Sequence, residues 1–169
     1  MILLTVGTEK FSFHRLVAAF DALAAPGGPL APGGGREPFA QIGSSSYLPR
    51  HVPHERLVPF ERMRALIAGA ELVISHAGAG STLLCLELGQ RPLLVPRLGR
   101  HGEHVDDHQV GFAERLAASG RVALLRDPAG LGAAIEAALA AGRGQRSGPR
   151  ATELVAHLGQ RFEELERGR

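Results

Sequence analysis

Four short apolar runs, at 2–6, 72–74, 92–95 and 122–125, alternate with stretches of helical period, and this alternation restricts the fold more than any other feature of the chain. None of the runs has a polar face, as expected of strands covered on both sides. A further strand is expected near 39–42. Between the runs, Leu16, Val17, Phe20 and Leu23 recur at helical spacing, as do Met63, Leu66 and Ile67, then Leu83, Leu86 and Leu88, then Phe112 and Leu116, and finally Leu131, Ile135 and Leu139. Strand alternating with helix predicts an α/β domain built on a doubly wound parallel sheet, with helices on both faces and right-handed crossovers.

A chain of 169 residues has room for one domain of this kind, which buries roughly 70% of the surface of its unfolded form. With 44% apolar and 21% charged residues and a mean hydropathy of +0.01, disorder and coiled coil are both excluded. The 22 glycines and 11 prolines then need a place in the fold. Many fall in 26–38, PGGPLAPGGGREP, which reads as a flexible surface loop after the first helix. One domain is expected over 1–141. Over 142–169 a polar hinge leads into a helix whose Leu154, Val155, Leu158, Phe162 and Leu165 form one apolar stripe, either packed back on the domain or presented to a partner.

Nineteen basic residues against 17 acidic ones leave no basic stripe for a polyanion, so no nucleic-acid partner is expected. All the basic residues except Lys10 are arginine, which reflects coding bias more readily than guanidinium-specific sites. A lone Cys85 cannot form an internal disulfide, consistent with a reducing, cytoplasmic compartment. The opening MILLTVG reads as a strand rather than a signal peptide, and no apolar run approaches the roughly 20 residues of a membrane span. Any work at a membrane would need another anchor.

In a doubly wound sheet, ligands bind beyond the carboxyl ends of the strands. The sharpest segment there is SHAGAGST at 75–82, where Gly78 and Gly80 allow close backbone approach, a helix N-terminus offers unpaired N–H groups, and Ser81 and Thr82 add hydroxyls. This is an anion cradle of the size of a diphosphate. It is neither a P-loop nor a GxGxxG fingerprint, and Ser75 lies in no GxSxG elbow. A second segment, GEHVDDHQ at 102–109, offers short polar groups for sugar hydroxyls, or a helix start capped by Asp106 or Asp107. It lacks a recognised ligand spacing such as HExxH, so no metal is expected. The third, VGTEKF at 6–11, carries Thr8 and Lys10 within reach of a phosphate.

Together VGTEKF at 6–11, QIGSS at 41–45, VPF at 58–60, VISHAGAGS at 73–81 and VPR to GEHVDDHQ at 95–109 resemble the C-terminal, donor-binding domain of family 28 glycosyltransferases. The closest resemblance is to stand-alone forms: the catalytic subunit that adds the second sugar to dolichol diphosphate, and exopolysaccharide subunits of the PssE and EpsE kind. The resemblance implies a Rossmann-like fold that is one half of a GT-B enzyme, with a UDP-sugar held here and no cofactor. It also implies a separate membrane-anchored, acceptor-binding subunit of the PssD type carrying a lipid-linked acceptor, so that this half is peripheral to the cytoplasmic membrane. By position it assigns the diphosphate to Gly7, Thr8, His76, Gly78, Ala79, Gly80 and Ser81, the uracil to the backbone of Phe60, and the sugar hydroxyls to Asp107, His108 and Gln109. Where many relatives hold the ribose with an acidic residue this chain has Leu84, and Glu87 one turn on is the substitute considered.

The implied reaction moves a sugar from UDP to a lipid-diphosphate-linked hydroxyl. The cradle would stabilise charge on the departing UDP, and His14 is the one residue here considered as general base. Arg97 and Arg100 would suit a donor bearing a carboxylate. The rival expectation is a UDP-sugar-binding regulatory module with no transferase activity of its own. A self-sufficient epimerase would need a second domain.

Overall fold

The computed structural model describes residues 1–142; of the hinge and terminal helix expected over 142–169, all but Gly142, which ends the last helix, lie outside the described residues. Six strands alternate with five helices: β1 Ile2–Thr5, α1 His14–Leu23, β2 Pro38–Gln41, β3 His54–Glu55, α2 Phe60–Gly69, β4 Leu72–Ser75, α3 Ala79–Glu87, β5 Leu93–Leu94, α4 His108–Ala118, β6 Ala123–Leu124 and α5 Leu131–Gly142. Every strand pairing is parallel and the order across the sheet is β3-β2-β1-β4-β5-β6. The expected α/β, Rossmann-like, doubly wound architecture is therefore present. Winding proceeds outward from β1 to β3 and then restarts at β4 on the other side. The order reverses between β1 and β4, the point beyond whose strand carboxyl ends doubly wound folds bind ligands.

The unbroken apolar runs have a direct geometric cause. Along β1, Ile2, Leu4 and Val6 pack in one cluster with Leu16, Val17 and Phe20 of α1 and Leu131 and Ile135 of α5. Leu3 points the other way, toward Val73, Ile67 of α2 and Cys85 of α3. Further along that second face, Leu94 meets Leu86, Ala113 and Leu116. Successive side chains of a strand take opposite faces, so a strand buried on both must be apolar at every position.

Two elements depart from the sequence expectation. β3 was not foreseen, because it has only two residues, His54 and Glu55, preceded by Pro53. Shortness, proline and charge are what protect an edge strand from further pairing, and they also erase its apolar signal. α3 begins at Ala79 instead of near Leu83, so the glycine segment forms its first turn. The loop over 26–38 ends as β2 starts at Pro38, and Leu30 within it is 1% exposed and joins the core of α1 and β1.

The β2–β3 connection is held by a carboxylate inside α1. Asp21, 1% exposed, accepts hydrogen bonds from the N–H groups of Arg50, His51 and Val52 and from the Tyr47 hydroxyl, at 2.8–3.1 Å. Burial pushes its pKa up, but these donors outweigh burial and hold it below the ordinary 3.8. Asp21→Asn should destabilise the fold by about 2–3 kcal/mol, measured by urea unfolding at pH 7, because an amide nitrogen would face N–H donors. In the wild type the stability contributed by ionised Asp21 should be present above pH 3.8 and lost as the pH falls below it.

Candidate functional site

The loops leaving β1 and β4 meet at the switch point, and a buried imidazole sits between them. His76 is 5% exposed. A Cβ placed on Gly7 would lie 2.6 Å from its Cε1, and one on Gly78 would lie 2.2 Å from its Nε2. Both glycines are thus required by the histidine ring. Gly7 also has φ +74°, and Ala77 has φ +63°, alone among the described non-glycine residues in being left-handed. That conformation costs on the order of 1 kcal/mol and persists where the surrounding structure imposes it, commonly at ligand sites. Here it turns the chain from β4 directly into α3.

The first turn of α3 has no side-chain cap. Its N-cap is Gly78, and the first intrahelical bond runs from Thr82 N to Gly78 O at 3.0 Å. Hence the N–H groups of Ala79, Gly80 and Ser81 have no partner among the described residues. They lie at the positive end of the helix dipole, an arrangement that attracts anions. Gly80 is exposed, and a Cβ there would meet nothing within 4 Å. The Thr82 hydroxyl, expected to face a ligand, donates to Gly78 O at 2.8 Å. The Ser81 hydroxyl, half-buried, makes no bond within the described residues.

Glu87, considered for the ribose, stands at the far end of α3. It is the last residue of α3, about 12 Å of helix from Ala79 at 1.5 Å per residue, and its carboxylate lies 3.8 Å from Arg64 Nη2 of α2. Leu84 is partly buried, packed in the cluster of Leu3 and Cys85. Phe60 opens α2, also at the carboxyl edge, and is 63% exposed. Thr8 and Lys10 are exposed on the β1 loop, with the Lys10 ammonium 5.4 Å from the Phe11 ring centre. His14 is the exposed first residue of α1.

Behind these groups stands a buried polar frame that sequence reasoning missed. Gln41, the last residue of β2, grips the Gly7 peptide from both sides: its Oε1 accepts from Gly7 N at 3.1 Å and Thr5 Oγ1 at 2.7 Å, and its Nε2 donates to Gly7 O and Arg56 O, both at 2.8 Å. Arg97, 1% exposed, donates through Nη2 to Val6 O at 2.7 Å and through Nη1 to Phe11 O at 2.6 Å and Glu103 O at 3.0 Å. Glu103, 2% exposed, takes Arg15 Nε and Nη2 at 2.8 and 3.0 Å and Leu98 N at 3.0 Å. The guanidinium of Arg97 is therefore not available for a donor carboxylate, whereas Arg100 is exposed. Gln109, expected to meet sugar hydroxyls, is 4% exposed, and its Oε1 accepts from Arg97 N at 3.1 Å.

The loop before α4 turns on its acids. Asp106 Oδ1 accepts from His108 N at 3.1 Å and also contacts His108 Nδ1, so Asp106 rather than Asp107 bonds the helix start. Asp107 instead accepts from Gly99 N at 2.7 Å. Hydrogen bonds from His108 hold the Asp106 pKa below its ordinary value. Among the described residues, the buried side-chain atoms without a hydrogen-bond partner are Ser75 Oγ, His76 Nδ1, Arg97 Nε and His104 Nδ1, all at or just after the carboxyl ends of β4 and β5. Buried polar atoms are rarely left unpaired without reason, so their clustering marks this edge. Concavities also open at the opposite edge, around Met1 and Leu88 and around Met1 and Phe39, but none of these four atoms lines them.

Burial first, and then the nearby positive charge of Arg97, push the His76 pKa down to about 4 from an ordinary 6.5. The ring is neutral at pH 7. Between those two values the unfolded chain takes up a proton that the folded chain refuses. Stability should therefore be full above pH 6.5 and fall by about 3 kcal/mol as the pH drops toward 4. Urea midpoints measured across that range should show the slope in the wild type and a much shallower one in His76→Gln; equal slopes would remove His76 as its source.

The chain matches the family described as the glycosyltransferase family 28 C-terminal domain over residues 1–152. Among curated proteins no relative matches. Among solved structures it is similar to CalG4, the calicheamicin glycosyltransferase, at 21% identity and a TM-score of 0.64, covering 98% of this chain and 42% of that one. It is also similar to the glycotransferase of kitacinnamycin, at 19% identity and a TM-score of 0.56, covering 96% of this chain and 39% of that one. The chain thus spans about two-fifths of the length of these neighbours, and the likeness to them is one of fold.

Proposed function

The chain belongs to the family of glycosyltransferase family 28 C-terminal domains, and on that premise we propose that it is the donor-binding catalytic subunit of a two-component glycosyltransferase. It takes a UDP-sugar and passes the sugar to a lipid-diphosphate-linked acceptor in exopolysaccharide or glycan synthesis. The acceptor is held by a membrane-anchored partner subunit. The observation that carries the reading is the uncapped first turn of α3, with three N–H groups at the switch point that have no partner among the described residues. A diphosphate satisfies all three.

In this arrangement the β-phosphate sits against Ala79, Gly80 and Ser81, with the Ser81 hydroxyl as a fourth donor. Gly7, Thr8 and Gly78 flank it, and neutral His76 supports the loop from beneath. The uracil edge meets the backbone at Phe60. The sugar lies toward Asp107 and His108, with buried Gln109 holding Arg97 behind them. As the anomeric bond breaks, charge accumulates on the leaving diphosphate, where the fixed N–H groups and helix dipole stabilise it without rearranging. The acceptor hydroxyl attacks from the opposite face, inverting the anomeric carbon, and gives its proton to a base on the partner or to His14.

One observation supports a partner: Leu57, Phe60 and Val105, on segments following β3 and β5, are 64%, 63% and 74% exposed. Among the described residues no helix is long and apolar enough to cross a membrane. Leu84 at the ribose position favours a second reading, a UDP-sugar-binding regulatory module without transferase activity.

Calorimetric titration with UDP and with UDP-linked glucose, galactose, N-acetylglucosamine and glucuronate, followed by a transfer assay with the co-expressed partner, separates the readings. UDP binding with transfer is expected. Binding without transfer selects the module, and absence of UDP binding removes both. Gly80→Asp should weaken UDP by at least about a hundredfold, since a carboxylate about 5 Å from a phosphate charge costs about 3 kcal/mol at an effective dielectric of about 20. The fold should survive, because Gly80 faces open space and an acid suits a helix N-terminus.

A further inference from the structure

The loop that enters α4 carries a second constellation, set by the alternating spacing His104, Asp106, His108. The turn into the helix brings one ligand atom from each residue within 4.8 Å of the others. Asp106 Oδ1 lies between the two imidazoles: it contacts His108 Nδ1 and stands 3.6 Å from His104 Nδ1. The His104 ring is fixed on two sides, edge-on to His108 at a centroid distance of 4.6 Å and tilted against Phe11 at 5.4 Å. Its side chain is 15% exposed, while Nδ1 itself is cut off from solvent and has no hydrogen-bond partner. A buried imidazole nitrogen of this kind, turned toward a carboxylate that already holds a second imidazole, lacks only an electrophile to bind.

From this geometry we infer that His104, Asp106 and His108 form a binding site for a divalent d-block cation of the zinc class. Two imidazole nitrogens and one carboxylate oxygen are borderline ligands, which select zinc, cobalt, nickel or copper over magnesium and calcium. Tetrahedral bonds of about 2.0–2.2 Å space neighbouring ligand atoms by about 3.3–3.6 Å, so the loop needs only small adjustments. The cation takes the place of the hydrogen bond between His108 Nδ1 and Asp106, each imidazole binding it through a ring nitrogen that carries no proton. Three protein ligands leave a fourth position open to water or to an oxygen of a bound molecule. The sequence concealed the site because alternating positions match no helical or zinc-finger spacing, and only the turn at 105–108 closes the triangle.

Cation binding stands independently of the donor-site reading, although His108 would be common to both. The test is titration of the untagged, metal-free full chain with Co²⁺, followed by the visible ligand-field bands of cobalt. One equivalent should produce intense bands of four-coordinate type, and Zn²⁺ should displace them. Asp106 and His108 are both exposed, so Asp106→Asn and His108→Ala should fold. Each should weaken cobalt by more than the about 10–100-fold that loss of an outer-shell partner costs. Absence of the bands in the wild type, or bands unchanged in both variants, would overturn the inference whether or not UDP binds.

Discussion

A guanidinium sealed from water holds the carboxyl edge of this sheet together. Placing a charge in a protein interior costs several kcal/mol unless it is fully engaged. Arg97 offsets much of this cost by donating through both Nη atoms to three carbonyls, of Val6 and Phe11 in the β1 loop and of Glu103, leaving Nε without a partner. The Glu103 carboxylate supplies the countercharge and is itself held by Arg15 of α1. Phe13 lies beneath both cations, its ring centre 5.2 Å from the Arg97 guanidinium carbon and 5.5 Å from that of Arg15. The β1 loop, the β5 loop and α1 therefore form one unit.

Everything that faces the switch point inherits its position from this unit. Gln41 clamps Gly7 from the neighbouring strand, Gly7 and Gly78 leave room for the His76 ring, and the ring with left-handed Ala77 aims the start of α3. The Arg97 charge also keeps His76 neutral. The cradle is thus preorganised: its N–H groups are exposed by the loop beneath them and need no ligand to assemble. Gly80 alone among the three cradle-associated glycines is free of steric demand from the protein, so its small size is available to serve the ligand.

How much of this was legible in the sequence depends on what each residue does. The apolar runs announced the parallel sheet because burial on both faces leaves no polar position, and the switch-point loop was visible because strand, glycines and helix follow one another in order. Polar residues were ambiguous by nature. Arg97 and Gln109 look like ligand contacts in a one-dimensional reading, yet the frame takes both Nη atoms of Arg97 and the Oε1 of Gln109. Thr82 turned back on its own helix, and Glu87 lay a full helix length away because α3 starts four residues earlier than the apolar period indicates. β3 left no trace because an edge of two residues has no face to bury. What periodicity cannot convey is which end of an element a polar side chain reaches, and that decides frame against site.

The first turn of α3 is where the proposed function requires a diphosphate to bind. The most direct measurement is an amide-resolved NMR titration of the ¹⁵N-labelled chain with UDP. The largest shifts should fall on the Ala79, Gly80 and Ser81 amides, with smaller ones on Gly7 and Thr8 and none around Glu87 or Arg64. Binding that leaves those three amides unmoved, or that shifts the opposite edge of the sheet around Leu88 and Met1, would contradict it.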